Sequence, residues 1–349
     1  MTRSPVHPFT RSLVHGVFAL LAAVPQTAVA AEAFNPSPHA IDIPAWFRET
    51  LLDFREDIRD AAKDGKRLLV YFGQDGCPYC RELMRANFAQ KDIAERTRRR
   101  FHAIALNIWG DREVTWTDGR TMSEKALAVS LKVQYTPTLL FLDESGAVAL
   151  RLNGYYPPHQ FRAALDYAAG NGERKTPFAE FLRRHAREPA SGRLHDQAFF
   201  LKAPLALDRS LQPAMRPLAV LFEQKECAAC DELHQKGFSA PAVKALIGKF
   251  DVARLELFGT ERLTTPRGQS LTASQWGREL KVAYTPTIVF FDARGTEVFR
   301  IEAYLKPFHL ASSFDYVASG AYRTQPGFQR YIQGRAEKIR AAGGRVELW

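Results

Sequence analysis

The apolar positions of this chain alternate between two periods, and the alternation is regular. "RLLVYFG" (67–73) is a continuous apolar run of strand length, as for a strand covered on both faces. After Cys77 the spacing turns helical, with Leu83, Met84 and Phe88 on one side. "FHAIALNI" (101–108) reads as a second strand, and "MSEKALAVSL" (122–131) as a helix with Ser123 near its start. "TPTLLFLD" (136–143) and "VALRLNGY" (148–155) read as two more strands joined by the tight turn "ESG". "PPHQFRAALDYAAG" (157–170) opens on prolines and closes on glycine, the asymmetry of a helix start and stop. The order is β-α-β-α-β-β-α. A further helix is expected ahead of it over "AWFRETLLDFREDIRDAAKDGK" (45–66), where Trp46, Phe47, Leu51, Phe54 and Ile58 recur with helical spacing.

The pattern then occurs again. "LKVQYTPTLLFLDESG" (131–146) matches "LKVAYTPTIVFFDARG" (280–295), and "ALNIWG" (105–110) matches "RLELFG" (254–259). The offset is 227 − 77 = 150 at the first cysteine of each pair and 284 − 135 = 149 at the Tyr-Thr-Pro triplets. "ERKTPFAEFL" (173–182) meets "YRTQPGFQRY" (322–331), so each unit ends in a proline and another amphipathic helix. Units of this length are domains rather than solenoid repeats. The expected class is α/β, with two tandem domains at 31–190 and 191–349, each a central mixed β-sheet flanked by helices. "REPASGRLH" (187–195) interrupts both periodicities at the boundary.

Composition changes this picture little. Apolar residues make up 46% and charged residues 25% of 349 residues, so a core can form without a disulfide scaffold. The net charge is +10, yet the densest basic run, "RTRRRF" (96–101), is the length of a solvated helix face, and no nucleic-acid partner is expected. The N-terminus matters more. Arg3 and Arg11 precede the apolar "LVHGVFALLAAV" (13–24), Pro25 breaks it, and "AVA" (28–30) offers small residues for cleavage. That reads as a signal peptide over 1–30, cut after Ala30, with a core short for spanning a bilayer and an uncleaved anchor as the alternative. The mature chain is expected in the periplasm, where disulfides persist.

All four cysteines sit in two C-x-x-C pairs at equivalent places, "GCPYCREL" and "ECAACDEL", each where a strand hands over to a helix. A cysteine there meets free N–H groups and the helix dipole, which favour a thiolate. A second cysteine one turn on can close on the first. Cys77 and Cys227 are therefore the expected nucleophiles in thiol–disulfide exchange, with Cys80 and Cys230 the resolving thiols. Pro78 suits the first helical turn. Other readings stay open here: a structural bond (which would close a very small loop), a shared four-sulfur zinc site, or copper ligation by Cys227, Cys230 and His234 and by Cys77, Cys80 and Met84. His159, His185 and His309 read as surface or structural.

"YFGQDGCPYCRELM", "ALNIWGDREVT", "YTPTLLFLDESG" and "LNGYYPPHQF" together resemble the thioredoxin fold, and most closely the SoxW-type periplasmic thioredoxins associated with bacterial sulfur oxidation. The resemblance implies cis peptides before Pro137 and Pro286. It implies that Thr136 and Thr285 present backbone to an extended substrate segment, with Pro78 and Tyr79 also contacting substrate. It implies a reductase of periplasmic disulfide-containing proteins, fed by a membrane thiol electron transporter, with no cofactor beyond the two disulfides. Isomerase or oxidase activity is the alternative within the same chemistry, copper delivery the alternative outside it, and a third has one domain redox-inert and serving only to dock partners. The chain departs from the pattern where ordinary thioredoxins bury an acid six positions before the nucleophile: Tyr71 and Leu221 stand there. Glu223 is nearby but is expected on the other strand face. The polar insertion Gly110–Lys125 is expected to shape a docking rim.

Overall fold

A computed structural model describes residues 40–347. The signal-like segment lies outside them. The first domain runs α1 (Phe54–Lys63), β1 (Arg67–Gly73), α2 (Pro78–Glu82), α3 (Lys91–Arg100), β2 (Phe101–Asn107), β3 (Glu113–Thr115), β4 (Thr121–Ser123), α4 (Glu124–Ser130), β5 (Thr138–Leu142), β6 (Val148–Asn153), α5 (Pro158–Ala169) and α6 (Phe178–His185). The second repeats all but α1: β7 (Leu218–Glu223), α7 (Ala228–Glu232), α8 (Pro241–Ile247), β8 (Asp251–Glu256), β9 (Arg262–Thr264), β10 (Ser270–Thr272), α9 (Ala273–Glu279), β11 (Thr287–Phe291), β12 (Glu297–Ile301), α10 (Pro307–Ala318) and α11 (Phe328–Ala341).

Each domain centres on a mixed four-stranded sheet, ordered β2-β1-β5-β6 and β8-β7-β11-β12. β1 pairs parallel with β2 and antiparallel with β5, and β7 does the same with β8 and β11. Every residue of β1 and β7 is buried, because both sheet faces are covered. Side-chain alternation divides them: Leu69 and Tyr71 join the core under α2 and α5, while Leu68, Val70 and Phe72 join the core beneath α1 and α4.

One expectation is corrected. Helix α1 begins at Phe54 rather than Ala45. Asp53 caps it by accepting from Arg55 N, and Leu52 sits at φ 59°, a left-handed conformation that stops the helix from extending backwards. Leu51 is therefore 94% exposed, while Trp46 and Phe47 fold separately against Phe88. The polar insertion Gly110–Lys125 holds the hairpin β3–β4. Buried Glu124 pins its base, accepting from Asn107 N at 3.0 Å and from the Arg112 guanidinium at 2.7 Å.

The two domains belong to one compact unit, and a pair of equivalent tyrosines interlocks them. Tyr135 leaves the first domain and enters the second domain's core, 5.7 Å from the Phe299 ring and 5.3 Å from Phe328. Tyr284 enters the first domain's core, 4.6 Å from the Tyr156 ring, and donates its hydroxyl to Gln160 Oε1 at 2.9 Å. Truncating such a ring removes its packing and leaves a cavity. Tyr284→Ala should lower unfolding free energy by about 3–5 kcal/mol, against about 1 kcal/mol for Tyr284→Phe, which loses only the hydrogen bond. Urea unfolding of both variants checks the difference.

Candidate active site

Both cysteine pairs are disulfides, Cys77–Cys80 and Cys227–Cys230, each with Cα atoms 5.2 Å apart. Cys77 is the N-cap of α2, and its Sγ accepts from Cys80 N at 3.0 Å. Cys227 is the N-cap of α7 with the same bond from Cys230 N at 3.0 Å. Pro78 occupies the first helical turn. Each helix continues through a wide π-helical stretch, Leu83–Phe88 and Leu233–Gly237. A sulfur so placed receives a backbone N–H and the helix dipole, the setting that stabilises a thiolate. The Thr136–Pro137 and Thr285–Pro286 peptides are cis. They set Thr136 O 3.3 Å from Cys77 Sγ and Thr285 O 3.7 Å from Cys227 Sγ.

Each site is roofed by the other domain. Cys77, Pro78, Tyr79 and Thr136 line a cleft of about 370 Å³ closed by His309 of α10 and Gln329 of α11. Gln74 ties the two sides together, donating to Thr136 Oγ1 at 3.0 Å and to Gln329 Oε1 at 2.7 Å. Gln329 in turn donates to Gln134 O at 2.9 Å, and Phe328 N to Gln134 Oε1 at 3.0 Å. The Tyr79 hydroxyl accepts from Lys306 N at 3.1 Å. In the second domain Cys227 and Thr285 line a much smaller cavity, about 30 Å³, closed by Gln160, Leu182 and Glu188 of the first. Cys77 is 4% and Cys227 5% exposed. Cys80 and Cys230 lie deeper still, and neither they nor Pro137 and Pro286 line these spaces.

Beneath the sulfurs the domains differ. Leu221 and Glu223 are two apart on β7 and share one face, so Glu223 points toward the helix after Cys227; the expectation of the other face is corrected. Glu223 is fully buried, with Oε1 2.8 Å from His234 Nε2. Gln197 donates to His234 Nδ1 at 3.1 Å, which leaves the Nε2 proton directed at the carboxylate. His195 stacks on His234 at 4.7 Å and lies 2.5 Å from Asp231. The same positions in the first domain, 150 residues earlier, hold Gly73 and Met84. The Tyr71 ring fills the space: a Cβ on Gly73 would lie 2.0 Å from the Tyr71 hydroxyl. That hydroxyl is buried without a hydrogen-bond partner, and burial pushes its pKa up.

The copper sets are not assembled. The sulfurs are bonded to each other and His234 is engaged by Glu223 and Gln197. Among the described residues no cluster of three or more His, Cys, Asp or Glu side chains is arranged to hold a metal ion. His159 lies 3.2 Å from Glu188, and His185 stacks on Phe181. His309, expected at the surface or in a structural role, is instead buried in the cleft that Cys77 lines, a place that follows from the packing of α10 against the first domain.

The sequence matches the thioredoxin-like domain family over residues 54–169 and again over 206–318. No curated protein matches it. Among solved structures it is similar to a thioredoxin-fold protein from Helicobacter pylori, at 28% identity over 38% of this chain and 90% of that one, with a TM-score of 0.30. A thioredoxin from Thermus thermophilus matches at 24% identity over 34% and 86%, with a TM-score of 0.28. The C-terminal domain of Neisseria meningitidis DsbD in its oxidised form matches at 18% identity over 36% and 99%, with a TM-score of 0.26.

The competition between Tyr71 and position 73 is testable. Gly73→Ala should destabilise by about 1–3 kcal/mol, because the ring must shift in a packed core. In a Tyr71→Leu background the cost should fall below about 1 kcal/mol, since the space is then free. A urea-unfolding double-mutant cycle measures it, and equal losses in both backgrounds would assign the strain to another neighbour.

Proposed function

The chain belongs to the thioredoxin-like domain family, is a thiol–disulfide oxidoreductase with two C-x-x-C centres, and on that premise we propose that it is a periplasmic reductase of protein disulfides. The observation that carries the chemistry is the setting of Cys77 and Cys227. Each sulfur caps a helix, takes a backbone N–H at 3.0 Å, and faces the carbonyl before a cis proline. In the reduced protein the Cys77 thiolate attacks a substrate disulfide and releases one thiol. The Cys80 thiolate then attacks Cys77 Sγ, releases the second thiol and closes the disulfide. Cys227 and Cys230 repeat the cycle. Thr136 and Thr285 offer backbone to the substrate segment, with Pro78 and Tyr79 beside it, and Pro137 and Pro286 set the turn. No cofactor beyond the two disulfides enters.

The direction of traffic rests on the likeness to SoxW-type thioredoxins, which implies electrons from a membrane thiol transporter and a place in sulfur oxidation. The compartment rests on the signal-like residues 1–30. Among the described residues no helix is long and apolar enough to cross a membrane.

Redox titration of Cys77→Ser/Cys80→Ser and Cys227→Ser/Cys230→Ser variants isolates each pair. Both potentials should fall below about −200 mV, nearer thioredoxin at about −270 mV than strong oxidants at about −120 mV. Values near the latter would make the protein an oxidase. Cys80→Ser and Cys230→Ser should each accumulate mixed disulfides with partner proteins in periplasmic extracts. N-terminal sequencing of the exported protein should begin at Ala31, whereas an intact Met1 would replace the cleaved signal peptide by a retained N-terminal anchor.

A further inference from the structure

We propose that the first domain's redox site is completed by the second domain, whose His309 is the proton acceptor and donor for the Cys77 thiol. The inference rests on the oxidoreductase reading of that pair. His309 projects from α10 into the cleft that Cys77 lines, and its ring meets the Tyr79 ring edge-on at 5.1 Å. It is 9% exposed, and its Nδ1 is buried with no hydrogen-bond partner. A polar atom buried without a partner costs about 1–3 kcal/mol, so an imidazole held this way calls for a use.

The comparison between the two domains supplies that use. The second domain carries its own carboxylate and imidazole, Glu223 and His234, on the helix side of β7. The first has Gly73 and Met84 at those positions and Tyr71 in the space between, so it holds no acid–base pair of its own there. In the repeat His309 corresponds to Gln160, which roofs Cys227, accepts a hydrogen bond from the Tyr284 hydroxyl, and cannot exchange protons at neutral pH. The domain without an internal base is the one that receives a histidine from outside.

With Cys77 held in its disulfide, burial pulls the His309 pKa down to about 4, so the ring is uncharged and has a free lone pair; in the reduced protein a thiolate at Cys77 favours the imidazolium and raises that pKa again. Asp75, Tyr79 and Arg340 share the cleft with it, and Lys306 N holds the Tyr79 hydroxyl from the His309 side. The proton passes from Cys77 Sγ to the imidazole, which leaves a thiolate beside an imidazolium, the pairing known to favour both ions. The thiolate attacks one substrate sulfur, the substrate S–S bond breaks, and the departing thiolate takes the proton from the imidazolium. Cys80 then gives up its proton and attacks Cys77 Sγ; the Cys77–Cys80 bond forms, the mixed disulfide breaks, and the second substrate sulfur leaves as a thiolate that takes up that proton. The dithiol is oxidised to a disulfide by two electrons and the substrate disulfide is reduced to two thiols.

The test uses the full chain with Cys227→Ser/Cys230→Ser, so that only the first pair reacts, and compares it with the same chain carrying His309→Gln. Iodoacetamide alkylation of reduced Cys77 against pH reads its ionisation, and 5,5′-dithiobis(2-nitrobenzoate) serves as the disulfide. His309→Gln should move the alkylation midpoint upward and slow disulfide reduction at pH 7 by about 100-fold. In a Cys77→Ser/Cys80→Ser background the same substitution should leave the second pair within about twofold. An unmoved midpoint and rate in the first pair would overturn the proposal, and so would equal slowing of both pairs, which marks a structural effect. Should His309→Gln not fold, the unmutated chain decides: NMR titration of the His309 ring must change when Cys77 is alkylated, and an unchanged titration overturns the proposal. A shifted alkylation midpoint without disulfide turnover by either pair would retain His309 as the base and remove the oxidoreductase reading instead.

Discussion

The molecule is organised around the exchange of Tyr135 and Tyr284. Each ring leaves its own domain one residue before the threonine of a cis Thr-Pro and is buried in the other domain's core. Large aromatic rings contribute much of the burial at any interface, and these two tie the interface to the turns that face the active-site sulfurs. The domains therefore cannot separate without moving the carbonyls of Thr136 and Thr285, which face Cys77 and Cys227. The hydrogen bonds from Phe328 and Gln329 to Gln134 extend the same coupling along the loop. Interface packing and site geometry are one set of contacts.

That coupling gives the two centres unequal surroundings. The first opens to a cleft of about 370 Å³, large enough for several side chains of an extended segment, whereas the second faces about 30 Å³, room for a water. A substrate can approach Cys77 with the domains as they stand, while access to Cys227 requires α6 and the residues after it to move. Below the sulfurs the inequality runs the other way. The second domain is equipped with a buried carboxylate–imidazole pair, and the first is packed with tyrosine and methionine.

Much of this was legible in the sequence, for identifiable reasons. The strands over 67–73 and 138–142 declare themselves because burial on both faces demands unbroken apolar runs. The cysteine pairs and the repeat are local and survive without any knowledge of packing. The start of α1 was not legible, because it depends on the backbone of Leu52 and the cap at Asp53 rather than on periodicity. The face of Glu223 was misjudged although period-two alternation with Leu221 was enough to place it. The approach of α6, α10 and α11 to the opposite domain's site, and with it the position of His309 on α10, is a tertiary fact. An amphipathic stripe shows that a helix will be covered and does not show by which partner.

Reciprocal insertion of equivalent residues is the arrangement of a two-fold symmetric dimer, where residue i meets j and j meets i. Here the two partners are covalently joined, and symmetry is no longer compulsory. In a homodimer any substitution falls on both sites at once, so a base given to one is given to the other. In a fused pair one copy can hold Gln160 and the other His309, or one Gly73 and the other Glu223, at no cost to its neighbour. Fusion turns a single doubled site into two sites that can be tuned separately, while the shared interface keeps their geometries bound together.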